Sequence, residues 1–95
     1  MGSKIAFKRF IGDLVMKSYL MVWFSSEGGR PSEITRRLMS MGFKPIQGAY
    51  DYVYEWDSSV DVTEILRFGD RVQMTLAELG VMFRLETVDA SVTSN

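Results

Sequence analysis

PSEITRRLMSMGFKPIQGAYDYVYEW, residues 31–56, is the stretch on which the fold turns. Ile34, Leu38 and Met41 recur at helical spacing, while Glu33, Arg36 and Arg37 point the other way. Pro31 stands at a first-turn position, where its missing N–H is no loss. Gly42 stands where a C-terminal cap glycine belongs. These features predict a helix over Pro31–Met41. Beyond Gly42 the period drops to two. Phe43–Gln47 is a short strand carrying Pro45, which has no N–H for a sheet ladder and so belongs at an edge. Gly48 marks a turn, and Ala49–Trp56 alternates strictly, as a strand does.

On the N-terminal side, Lys17–Phe24 (KSYLMVWF) is rich in aromatic and branched residues and ends at the turn cluster Ser25–Gly29, which predicts a strand and a loop. On the C-terminal side, the bend Asp57-Ser58-Ser59 precedes a second helix. It runs from Asp61, a good N-cap, to Leu79, with Val62, Ile65, Leu66, Val72, Leu76 and Leu79 as its apolar face. Gly69 inside that helix costs about 1 kcal/mol against alanine, and marks either a close approach to the sheet or a kink. Gly80 ends the helix, and Val81–Val88 (VMFRLETV) alternates as the last strand. Residues 4–16 (KIAFKRFIGDLVM) fit a helix through Phe7, Phe10, Ile11, Leu14 and Val15. They fit equally a strand pair turning at Gly12-Asp13.

The order is β-α-β-β-α-β with a hairpin in the middle. Right-handed crossovers through both helices favour an α+β two-layer sandwich of ferredoxin-like type, with an extra N-terminal segment that is helix or strand. Its first and third strands are central. Residues 1–88 form one domain and 89–95, small and polar, form a flexible tail. At 95 residues, a chain buries roughly two thirds of its unfolded surface, enough for one modest core.

The composition excludes several chemistries. There are no cysteines and no histidines, which removes disulfides, thiolate nucleophiles, imidazole ligands and the commonest general base. The expectation is a cytoplasmic protein with no cofactor and no membrane segment; Tyr19–Phe24 is far too short to span a bilayer. Net charge is −1, yet residues 1–47 carry eight basic against three acidic residues and residues 48–95 three against nine. Interleaving of the halves would turn this asymmetry into ion pairs.

Aromatic residues are the most informative candidates. Tyr50, Tyr52, Tyr54 and Trp56 share one face of the third strand, and Tyr19, Met21 and Trp23 share one face of the first. Leu20, Val22 and Phe24 look like the helix-facing set, which leaves Tyr19, Met21 and Trp23 on the open face. For the third strand, tyrosines facing outward would turn Asp51 and Glu55 toward the core, a costly burial. The cheaper arrangement buries the tyrosines with their hydroxyls at the rim. The alternative sets Tyr19, Met21, Trp23, Tyr50, Tyr52 and Tyr54 on one open surface, where single-stranded nucleic acid stacks in RRM-type domains. Asp51 and Glu55 would repel phosphate there, and no Lys/Arg-Gly-Phe-type segment is present.

Three lesser candidates complete the reading. Gly28, Gly29 and Arg30 precede a helix N-terminus and are candidate anion contacts, although they match no phosphate-loop spacing and plain turns are the commoner use of such a sequence. An acylphosphatase of ferredoxin-like fold would need an asparagine, and the only one is Asn95. Asp51, Glu55 and Asp57 are close enough in sequence for a hard cation, but solvated strand charges are the default. Met16, Met21, Met39, Met41, Met74 and Met82 are scattered as core fillers would be.

The run Gly29-Arg30-Pro31, Leu38, Gly42-Phe43, Pro45, Gly48, Tyr50-Asp51 and Tyr54-Glu55-Trp56 resembles small uncharacterised archaeal proteins of ferredoxin-like fold. That resemblance implies the fold and no activity. The functional expectation is a non-catalytic soluble protein that self-associates through its open sheet face or through the edge strand Val81–Val88, which has one interior charge of each sign and no proline, unless the N-terminal segment covers that edge and removes the motive for pairing. The expected partner is a second copy of the chain. The alternative is a single-stranded nucleic-acid-binding module.

Overall fold

The structure, a computed structural model, describes residues 15–57 and 60–90. Six elements follow one another: β1 Met16–Trp23, α1 Pro31–Ser40, β2 Lys44–Pro45, β3 Tyr52–Glu55, α2 Val62–Glu78 and β4 Met82–Asp89. The four strands form one antiparallel sheet in the order β2-β3-β1-β4, so β1 and β3 are central and β2 and β4 are edges. Both helices lie on one face. Of the expected 4–16 segment residues 4–14 lie outside the described residues, as do residues 91–95 of the expected tail, while Met16 opens β1 and Asp89 closes β4.

Both helices begin and end as the sequence suggests. Pro31 is the first residue of α1, and the Asp61 side chain accepts the Glu64 N–H at 3.0 Å to cap α2. Each helix stops in a Schellman turn. Gly42 (φ 107°) bonds to Met39 O and Phe43 to Leu38 O; Gly80 (φ 69°) bonds to Ala77 O and Val81 to Leu76 O. The residues just past the glycines, Phe43 and Val81, are buried, so each turn also anchors the chain in the core.

The core lies between the helices and the sheet. Ile34 and Leu38 of α1 and Phe68, Val72 and Leu76 of α2 pack on Leu20, Val22, Phe43 and Tyr52. Each such side chain contributes about 1.5–3 kcal/mol by burial. The apolar stripe of α2 is rotated from the expected one. Val62 and Leu66 are exposed, and Phe68, absent from the expected face, is at its centre. Spacing alone cannot separate these two faces, because apolar residues occur on both; the aromatic row on β3 selects the one carrying Phe68. At Gly69 α2 continues unbroken, and a Cβ there would meet only the Leu85 side chain at an ordinary 4.0 Å, so the position does not require glycine for a close approach to the sheet.

One buried polar side chain interrupts the apolar layer. Ser18, fully buried on β1, shares a 2.6 Å hydrogen bond with the Thr87 hydroxyl and accepts the Trp56 Nε1–H at 2.9 Å. It ties the central strand to both neighbours, and among the described residues no buried side-chain polar atom lacks a partner.

The two halves of the chain interleave strand by strand, and the charge asymmetry becomes ion pairs. Lys17 and Lys44 flank Glu55 at 4.0 and 3.6 Å, and Arg37 meets Glu78 at 3.2 Å. All three are exposed and worth little individually.

Candidate functional site

Strand register assigns every side chain of the sheet to a face. Lys17, Tyr19, Met21 and Trp23 of β1 stand beside Val88, Glu86, Arg84 and Met82 of β4 on the face away from the helices. Val53 and Glu55 of β3 lie on the same side. Tyr52 and Tyr54 are on the helix side, which corrects their place among the candidate surface residues. Tyr52 is 4% exposed and its hydroxyl meets Thr35 of α1 at 2.6 Å. Tyr54 and Trp56 bracket Phe68, with ring centroids 4.3 and 5.1 Å away.

Tyr50 departs from the alternation. Regular pairing of β3 starts at Tyr52, not Ala49. The ladder sets Tyr52 opposite Leu20, yet the Asp51 N–H also turns to Leu20 O at 2.9 Å, one residue out of register. The Asp51 carboxylate then accepts the Val22 N–H at 3.0 Å. This irregularity, of the kind a bulge introduces, swings Tyr50 onto the open face. Its ring lies 5.2 Å from that of Tyr19, and its hydroxyl donates a short hydrogen bond to Glu86. Arg84 grips the same carboxylate, Nε at 3.0 Å and Nη2 at 2.6 Å. The Tyr50 and Arg84 hydrogen bonds hold the Glu86 carboxyl below its usual range, and the bond to Glu86 holds the Tyr50 phenol above its own.

The open face thus has a polar centre, Tyr50–Glu86–Arg84, and an apolar corner. At that corner Trp23 is 49% exposed beside its register partner Met82, which is 75% exposed. Among the described residues of this face, the basic Lys17, Lys44 and Arg84 stand with the acidic Asp51, Glu55 and Glu86, so their formal charges cancel.

The other candidates have different roles. Gly28 N–H donates to Ser25 O at 3.2 Å and Gly29 N–H to Leu79 O at 2.7 Å, so neither is left to face an anion. What the glycines supply is space: a Cβ on Gly28 would lie 2.4 Å from Gly80 O. Arg30 is exposed and precedes α1 without a side-chain cap bond. Asp51 is committed to Val22, and Glu55 to its two lysines. Among the described residues no group of three or more acidic side chains is placed to hold a metal ion.

Among the described residues, concavities lie on either side of the sandwich. A polar cleft of about 450 Å³ lies where β3 exits toward α2, between Trp56 and Asp57 on one wall and Glu64, Arg67 and Arg71 on the other. A shallower apolar groove runs along α1 by Phe24, Thr35 and Met39. Neither gathers a nucleophile with a base or a convergent set of buried polar groups.

Sequence reasoning missed Asp51 as the residue that ends the β1/β3 ladder, and with it the position of Tyr50. Strict alternation carries no sign of such an irregularity. The Arg84–Glu86 pair was visible as two opposite charges two residues apart, but not its link to Tyr50. No helix is long and apolar enough to cross a membrane among the described residues. No protein-family model, curated protein or solved structure matches the chain.

Proposed function

We propose that this chain is a non-catalytic assembly protein that works as a homodimer, built on a ferredoxin-like sandwich. The strand order with both helices on one face supports that reading of the fold. The observation that carries the functional reading is the outer edge of β4. It contains no proline and, over residues 82–88, pairs with no strand but β1 among the described residues. Such an edge offers a row of backbone donors and acceptors to a second chain. The opposite edge, β2, is two residues long and contains Pro45, so it is protected. Among the described residues, one uncovered edge and one closed edge would allow two copies to pair and then stop. The cysteine-free composition fits a cytoplasmic setting.

A single-stranded nucleic-acid platform is the weaker reading. Of the six aromatic and methionine candidates, Tyr19, Met21, Trp23 and Tyr50 are on the open face, and the charges around them cancel. Sedimentation equilibrium tests the proposal: the expected species has twice the chain mass of 10.8 kDa, with a dilution-dependent monomer. A monomer persisting at high concentration refutes it, and salt-sensitive quenching of tryptophan emission by oligonucleotides would favour the nucleic-acid reading instead.

A further inference from the structure

The proposed dimer leaves the strand register open, and the residues of β4 select one. Ala90 N–H bonds to Val15 O, which fixes the phase of the β1/β4 ladder. In an antiparallel pair successive residues turn their N–H and C=O groups alternately toward and away from the partner. Met82, Arg84, Glu86 and Val88 therefore bond toward β1, and Phe83, Leu85 and Thr87 present their backbone groups to the outer edge.

A second β4 bonds to this edge only if odd-numbered residues stand opposite odd-numbered ones. Among the two-fold registers that satisfy that condition are those centred on Arg84, Leu85 and Glu86. The first sets Arg84 against Arg84 of the second copy, and the last sets Glu86 against Glu86; like charges directly opposite are destabilising. Centring on Leu85 sets Arg84 opposite Glu86 twice over, and Met82 opposite Val88 twice over. The charges become complementary. Met82 and Val88, 75% and 37% exposed in the single chain, gain apolar neighbours. Centring on Thr87 also satisfies the condition, but it pairs only residues 85–89, against 82–88 for Leu85, and leaves Arg84 outside the paired segment.

Resting on the self-association reading, we infer that two copies join β4 to β4 about a two-fold axis at Leu85, forming one continuous eight-stranded sheet. The Tyr50 hydroxyl and the Arg84 of the same chain already hold the Glu86 carboxylate on the open face, so the acceptor is in place before the partner arrives. Arg84 is exposed, and its guanidinium has five N–H donors, of which its own Glu86 engages those on Nε and Nη2. The side chains facing the helices, Phe83 opposite Thr87 and Leu85 opposite itself, continue the inner layer across the junction.

The chain contains no cysteine, so register is readable by disulfide trapping in the full-length protein. Positions 82 and 88 would face each other as a non-bonded pair with Cα atoms about 4.5 Å apart, inside the disulfide range. M82C and V88C chains, one of them isotopically labelled, are mixed under mild oxidation with circular dichroism confirming the fold. The expected product is the mixed covalent dimer, in roughly 10³-fold excess over self-linked chains at micromolar concentration, because pairing raises the local thiol concentration to about millimolar. R84C alone and E86C alone should not self-link. Efficient self-linking of R84C or of E86C, or an equilibrium dimer that yields no mixed product, overturns the Leu85 register while leaving self-association standing. A wild-type chain that sediments only as monomer overturns both.

Discussion

Replacing Phe68 by leucine tests the face assignment on which every surface above depends. Phe68 is 2% exposed, and its ring centroid lies 4.3 Å from that of Tyr54, 5.1 Å from Trp56 and 5.4 Å from Phe43. It is the hub through which α2 grips the aromatic row of β3. Leucine retains most of the buried apolar area but none of the ring-to-ring geometry. Three such contacts at about 0.5–1.5 kcal/mol each bracket the loss between about 1.5 and 4.5 kcal/mol. Because they share one residue they are not additive, and about 2 kcal/mol is the expected cost. The total stability of a chain this size is about 5–14 kcal/mol, so the loss is large enough to read cleanly. For a domain of this length it lowers Tm by about 8–16 °C.

The assay is urea unfolding followed by tryptophan emission in a W23F background, which leaves Trp56 as the reporter. An unchanged m-value with a lower midpoint is the expected pattern. A destabilisation under about 0.5 kcal/mol, typical of a surface substitution, would refute the burial of the aromatic row beneath α2. The open face would then need to be redrawn.

Two further outcomes follow from single contacts. Gly28→Ala would drive a Cβ to within 2.4 Å of the Gly80 carbonyl oxygen, against backbone that cannot swing aside, and should cost about 1–3 kcal/mol; a thermal midpoint equal to that of wild type would contradict the close approach of the two turns. Tyr50→Phe removes the bond that most depresses the Glu86 carboxyl, so NMR titration should show that carboxyl moving up toward its ordinary 4.5. In the wild type, a depressed carboxyl contributes stability above pH 4.5 that is lost as pH falls through the folded value, and the variant should flatten this acid limb. At the other end, the raised Tyr50 phenol contributes stability below pH 10 that is lost as pH rises through its folded value. An unmoved Glu86 midpoint in the variant would show that the phenol does not hold the carboxylate.

Much of the fold was legible because local signals agreed. Pro31 and Asp61 open helices, Gly42 and Gly80 close them, and Pro45 keeps β2 short and at an edge. The penalty for turning Asp51 and Glu55 inward favoured the arrangement that the structure has, with Tyr52, Tyr54 and Trp56 beneath the helices, over the one that kept Tyr52 and Tyr54 among the surface candidates. The same reasoning failed one step earlier on the chain. Tyr50 was grouped with them by a period of two, and the Asp51 irregularity that breaks that period is a backbone hydrogen-bonding event. Gly28 and Gly29 read as a loop able to face an anion because the approaching Leu79–Gly80 turn is fifty residues away in the chain.

The linear chain by itself determined which segments coil and which extend, where the two helices begin and end, and that one sheet face must be aromatic and aliphatic. Those properties follow from side-chain periodicity and from the backbone limits of proline and glycine, which act over a few residues. Only tertiary structure decided which stripe of α2 is buried, that Tyr50 joins Glu86 and Arg84 on the open face, and which groups β4 presents at its edge. Each of these depends on strand register and on contacts between distant segments, and pairing energy between residues tens of positions apart leaves no mark on local pattern.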